Sequence, residues 1–179
     1  MPREIVKYGS RVLRQTAAPV ASVDTAVLSL IDDLFDSMHE AGGIGLAAPQ
    51  IGISRRVIVV DISSQVPVHP PTALANPQIL RSSGSATAEE GCLSLPELYA
   101  DVERNTWIEV EALDIRGQSV RFEATDFFAR VLQHEIDHLD GTLFIDRISP
   151  LKRQLMRGAL RRLKKEGRRW DDQYAGTYG

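Results

Sequence analysis

The sequence has a single cysteine, Cys92, so no intrachain disulfide framework can staple the fold. That thiol is left with three roles: buried filler, reactive group or metal ligand. No run of about 18 apolar residues exists, which argues against a membrane-spanning helix. The start, Met1-Pro2-Arg3-Glu4, lacks the apolar stretch of a secretory signal, so a cytoplasmic location is expected. Repeats, linkers and low-complexity segments are also missing, which leaves no reason to divide the chain. What is present is 179 residues, 43% hydrophobic and 25% charged, the balance of one globular domain with a core. One domain over residues 1–179 is expected.

The net charge of -3 conceals a segregation. Residues 151–170 hold nine Lys/Arg and one Glu, a net of +8, while the remainder holds twelve Lys/Arg against twenty-three Asp/Glu, a net of -11. A basic end on an acidic body suggests a polyanionic partner at that end, although a solvated helix face gives the same count.

Hydrophobic spacing supplies the elements. Asp24 can cap a helix over about 25–41, since Val27, Leu30, Ile31, Leu34, Phe35 and Met38 fall on one face and Gly42-Gly43 end it. Short apolar or alternating runs follow at Val57–Val60, Ala73–Ala75, Ile108/Val110/Ala112 and Val120/Phe122/Ala124, and they read as strands. Asp114–Gln118 looks like a hairpin loop between the last two. A second helix starts near Thr125 or Asp126, turns Phe127, Phe128, Val131, Leu132, Ile136 and Leu139 inward and stops at Gly141. A third, basic one follows Pro150 over about 150–170, with Leu151, Leu155, Ala159, Leu160 and Leu163 as its inner stripe. Helix, sheet and helix together predict one α+β unit.

The second helix is apolar round much of its circumference, so the polar residues on it need partners. Among them His134-Glu135-Ile136-Asp137-His138 matches HExxH, which sets two imidazoles one turn apart on one face, where both can reach one metal. Glu135 is poorly placed to be a ligand but can reach a water beside the metal as a general base. A four-coordinate catalytic metal with one open position needs a third protein ligand. Cys92 is the best candidate, in Glu90-Gly91-Cys92-Leu93-Ser94-Leu95-Pro96, an extended or turning segment; a lone cysteine is otherwise a small buried hydrophobe. Gly43–Gln50 is glycine-rich but is no phosphate loop, because no Lys-Ser/Thr follows the glycines. It reads either as a tight turn or as a place where another chain lies close, with Gln50 offering an amide donor.

Taken together, Gly43–Gln50, Glu90–Ser94 and Gln133–Gly141 resemble the three signature motifs of peptide deformylases, in that family's order and with similar separations. The resemblance runs from about Ile5 to the third helix. It implies an α+β fold with antiparallel sheets around a central HExxH-bearing helix, an N-terminal helix and a basic C-terminal helix. It also implies that Cys92, His134 and His138 bind one divalent ion with water as the fourth ligand, that Glu135 is the catalytic acid/base, and that Gln50 and the Leu93 N–H stabilise an oxyanion. The ion implied is ferrous iron in the cell, with zinc, nickel or cobalt in preparations.

The substrate implied is the formylmethionine at the start of nascent peptides, with formate as product. Ile44, Phe127 and Val131 would wall a methionine pocket, and Gly45 and Gly91 would leave backbone free to take the peptide as an added strand. Glu90 would pair with Arg104, and Gln133 and Asp137 would orient the ligands. Many bacterial relatives carry an arginine where Leu98-Tyr99 stand, so contacts beyond methionine are expected to differ. Residues 151–170 would dock on the ribosome. The rival readings are a zinc endopeptidase built on the same HExxH helix and a catalytically silent ribosome-binding module.

Overall fold

A computed structural model describes residues 1–174. Helix α1 spans Thr25–Glu40, close to the expected 25–41. Asp24 caps it: its Oδ1 accepts from the Val27 N–H at 2.9 Å, an interaction worth about 1 kcal/mol. Gly42, at a φ of 68°, turns the chain out of the helix. Val27, Leu30, Ile31, Leu34 and Met38 are buried as expected, whereas Phe35 is only partly so.

Strands β1 (Gly45–Ala47), β2 (Val57–Val60), β3 (Thr72–Ser83), β4 (Ala86–Cys92), β5 (Leu95–Arg104), β6 (Trp107–Leu113) and β7 (Ser119–Thr125) follow. Five of them form an antiparallel sheet in the order β1-β2-β3-β6-β7, and β4 and β5 form a separate hairpin. All four residues of β2 are buried because the sheet is covered on both faces. Val57 and Val59 meet the α1 stripe, while Ile58 and Val60 meet the opposite layer. The Asp114–Gln118 loop joins β6 to β7 as expected, closed by the Asp114 N–H donating to the Gln118 carbonyl at 2.9 Å.

β3 runs well past the apolar Ala73–Ala75. Its outer half is held by backbone pairing with β6, from Gln78↔Glu111 to Ser83↔Trp107, which apolar spacing does not reveal. Pro77 has no N–H to give to the ladder, and the register shifts between Ala75 and Gln78 accommodate it.

Helix α2, Asp126–Leu139, lies on the far face of the sheet from α1. Phe128, Ala129, Val131, Leu132, Ile136 and Leu139 pack there on Ile58, Val60, Leu74, Ile108 and Val110. Burying the larger of these side chains stabilises by about 1.5–3 kcal/mol each. The α+β arrangement, with antiparallel sheets around the HExxH helix, is the one expected.

The C-terminal region departs from expectation. The single basic helix is two, α3 (Pro150–Leu155) and α4 (Arg157–Tyr174), and α4 extends beyond residue 170. Leu151 and Leu155 are not inner residues: they are 68% and 74% exposed. The direction changes at Met156, so Met156, Leu160 and Leu163 do the packing, against Leu95, Val102 and Phe144. Gly167 lets α4 lie on the N-terminal segment, since a Cβ there would stand 2.5 Å from the Tyr8 carbonyl oxygen. Asp171 fixes the contact by accepting from Ser10 Oγ at 2.5 Å and the Arg11 N–H at 2.9 Å.

Candidate active site and metal centre

Three pieces of chain meet at a cavity of about 420 Å³: residues 42–50 around β1, the β4–β5 turn, and one face of α2. α2 offers Phe127, Arg130, Val131, His134 and Glu135 to it, a stripe at helical spacing. The β4–β5 turn is Leu93-Ser94, between paired Cys92 and Leu95, so the cysteine stands at the tip of a hairpin. The hairpin was legible only as an extended segment, because β4 is mostly exposed and carries no apolar alternation.

Cys92, His134 and His138 each bring one ligand atom to a group whose members all lie within 4.8 Å of one another. Cys92 Sγ is 3.4 Å from His138 Nε2. A tetrahedral site with metal–sulfur and metal–nitrogen bonds of about 2.3 and 2.0–2.1 Å implies a similar edge, about 3.6 Å. His134 points Nδ1 at Glu90 Oε1, 2.9 Å away, which leaves its Nε2 for the cluster. Thiolate plus two imidazoles suits a divalent transition ion. Two buried side-chain atoms lack a hydrogen-bond partner among the described residues, Glu135 Oε2 and His138 Nδ1. Glu135 lines the cavity, so what binds there can partner its Oε2 and relieve a cost of about 1–3 kcal/mol; His138 Nδ1 is the ring nitrogen left over when Nε2 turns to Cys92. The residues present therefore fit a metal.

Glu135 is 4% exposed, and burial raises its carboxyl to about 7. Its carboxylate rests on Gly45, where a Cβ would overlap Oε1, so a side chain there would force the carboxylate to shift. Burial lowers His138 well below the usual imidazole value, reinforced by the His134 charge. For His134, burial is outweighed by hydrogen bonds with Cys92 and Glu90, and the result lies well above the usual value.

Glu90 is the hub behind the cluster. Arg104 grips it at 2.9 and 3.0 Å, as the pairing of these two residues predicts. Arg130 donates to Oε2 at 2.7 Å. Burial would raise this carboxyl, but His134 and Arg104 hold it ionised at about 2. Arg130 escaped the sequence reading, although a cation between Phe127 and Leu132 on a buried helix signals a fixed acceptor nearby.

Gln133 and Asp137 do not touch the imidazoles in any described hydrogen bond. Asp137 takes Arg104 at 2.6 Å and Arg147 at 2.7 and 2.8 Å, so it reaches Glu90 through Arg104. Gln133 pins Asn105, accepting from its N–H at 3.1 Å and donating to its carbonyl at 2.9 Å.

Gln50 is held by its own carbonyl oxygen, which accepts from the Ala47 N–H at 3.0 Å. Its Nε2 faces Ser94 Oγ at 3.2 Å and Cys92 Sγ at 3.5 Å. Leu93 lies over Gly43 and lines the same cavity, as do Ile44, Gly45, Gly91, Phe127 and Val131. Phe127 is 38% exposed, so it stands at the mouth rather than in the core. Tyr99 is also at the mouth, its ring so close to Gly91 that a Cβ there would be 2.6 Å away.

Residues 2–154 match the family described as polypeptide deformylase. A peptide deformylase of Alkalilimnicola ehrlichii is 47% identical over 165 residues, 92% of each chain. One from Acidobacterium capsulatum is 46% identical over 93% of this chain and 98% of its own. Among solved structures, the peptide deformylase of Thermus thermophilus superposes with a TM-score of 0.86 at 42% identity, covering 93% of this chain and 99% of that one. These matches lend no support to the endopeptidase or to the silent binding module. Matched over most of its length, with all three motifs on one cavity, the chain belongs to the peptide deformylase family and is a hydrolase of that kind.

Proposed function

We propose that Cys92, His134 and His138 hold one divalent metal ion and that Glu135 beside it moves the protons as the formyl group leaves the N-terminal formylmethionine of nascent peptides. One observation carries the reading: three ligand atoms within 4.8 Å of one another, next to a buried carboxylate oxygen with no partner among the described residues. When bound, the ion supplies Lewis acidity and lowers the pKa of water from about 15.7 towards 7. Glu135 takes the proton released as water attacks the formyl carbon, and the Gln50 amide and Leu93 N–H donate to the formyl oxygen as it becomes negative. Glu135 then delivers that proton to the amine nitrogen as the C–N bond breaks. Formate and a free N-terminus are the products.

Ile44, Phe127 and Val131 receive the methionine side chain, while Gly45 and Gly91 present backbone to the peptide as a neighbouring strand. Selection of formyl over acetyl follows from size at the reacting carbon, where an extra methyl must displace a ligand or water. The ion is ferrous iron in the cell; zinc, nickel and cobalt suit the same donors. The enzyme works in the cytoplasm, and among the described residues no helix is long and apolar enough to cross a membrane. Residues 151–170 dock it on the ribosome, using cations such as Arg157, Arg161, Lys164 and Arg168, all exposed on α4. Retained co-sedimentation with ribosomes after these are neutralised would remove that part.

The test of the activity is formate release from formyl-Met-Ala by protein purified without air. Formate with no internal cleavage of long unformylated peptides is expected. Internal cleavage without formate overturns the proposal.

A further inference from the structure

We infer that Arg130 is a positioning residue for the metal centre: its guanidinium holds the Glu90 carboxylate where that carboxylate orients His134. The inference rests on the proposed ligand set. Arg130 sits on α2 one turn before His134 and is 9% exposed, so it requires fixed acceptors. It has three: Glu90 Oε2 at 2.7 Å, the Val102 carbonyl at 2.8 Å and the Ala86 carbonyl at 2.7 Å. Ala86 is on β4 and Val102 on β5, so one planar guanidinium spans both strands of the hairpin that presents Cys92.

The division of labour at Glu90 gives Arg130 its role. Oε1 accepts from Arg104 and faces His134 Nδ1; Oε2 accepts from Arg104 and Arg130. Arg104 comes from the hairpin itself, on β5 opposite Ala86, and among the described hydrogen bonds it reaches α2 through Asp137. Arg130 comes directly from the helix that carries both imidazoles. It therefore fixes the carboxylate in the frame of those imidazoles. Remove it, and Oε2 retains only the donor from its own hairpin; the carboxylate is free to turn with Arg104 and its contact with His134 loosens. The alternative is that Arg130 merely staples the hairpin to α2 through the two carbonyls. In that case Glu90 is incidental.

Zn2+ affinity, measured by chelator competition, separates the two. Arg130→Met is expected to weaken binding about 10–100-fold, the range for losing a partner that orients a ligand. Arg130→Lys keeps a cation for Glu90 but cannot also hold both carbonyls, so it should retain affinity to within about threefold of the parent. In a Glu90→Gln background the Arg130→Met loss should shrink several-fold, because both substitutions act on one contact. Should Arg130→Met not fold, Arg130→Gln takes its place with the same expectations. The inference is overturned if the uncharged variant binds Zn2+ as the parent does, if Arg130→Lys loses as much affinity as the uncharged variant, or if the two losses simply add. Absence of formate release with normal Zn2+ binding would instead count against the proposed function.

Discussion

On α2 three ionisable side chains are buried, Arg130 at 9%, Glu135 at 4% and His138 at 1% exposure, and Arg130 has a specific partner at each nitrogen it uses. On α4 the arrangement is inverted: Arg157, Arg161, Arg162, Lys164, Lys165, Arg168 and Arg169 are exposed, and only Leu160, Leu163 and Gly167 are buried. Charge taken out of water costs several kcal/mol per ion unless geometry compensates, so each α2 residue is tied to one chemical task. Charge left in water acts through its sum and tolerates substitution. The family match ends at residue 154, so it covers α2 and leaves α4 outside.

The comparison breaks first if a buried α2 charge can be neutralised without effect. Glu135→Gln should lower kcat/KM for formyl-Met-Ala by about 10²–10⁴ while metal content is retained. Next comes Gly45→Ala, which drives a methyl into the Glu135 carboxylate. A displacement near 1 Å at such a group costs roughly 10²-fold in rate, and the thermal midpoint should move little by comparison. An alanine variant with parental kinetics would mean that the carboxylate has freedom the structure does not show.

The junction between the two helices provides an intermediate case. Asp146 follows α2 and precedes α3, accepting from Arg14 at 2.5 Å, the Leu143 N–H at 2.9 Å and Arg153 at 3.0 Å. Burial would raise its carboxyl, but these partners outweigh burial and lower it from 3.8 to about 2. A depressed carboxyl stabilises the fold fully above its unfolded value, and that contribution is lost as pH falls through the folded one. The thermal midpoint should therefore fall between about pH 4 and pH 2, and Asp146→Asn should flatten that fall. An unchanged slope in the variant would assign the acid sensitivity elsewhere. The smallest effect on catalysis is expected on α4: with Arg157, Arg161 and Lys164 all changed to Glu, kcat/KM on the dipeptide should stay within about twofold, since exposed charges of this kind contribute little locally. A larger loss would couple α4 to the active site.

What was legible in the sequence follows the same division. Periodicity found α1 and α2 because each buries one stripe, and HExxH named the imidazoles because helical spacing is fixed. The β4–β5 hairpin was hidden, since Ala86–Glu89 face solvent and only pairing with β5 orders them. The break at Met156 was hidden because Leu151 and Leu155 continue the apolar spacing of the later leucines while remaining exposed. Arg130 was hidden by its neighbours: its acceptors lie 28 to 44 residues away in sequence, and no local pattern reports them.

Metal stoichiometry in anaerobically purified protein tests the central claim most directly. The parent should carry about one equivalent of divalent ion, and Cys92→Ala, folded to the same circular dichroism spectrum, should lose most of it, as expected when one of three ligands is removed. A Cys92→Ala protein that keeps its full equivalent would contradict the account, because the ion would then be held somewhere other than between the hairpin tip and the two imidazoles of α2.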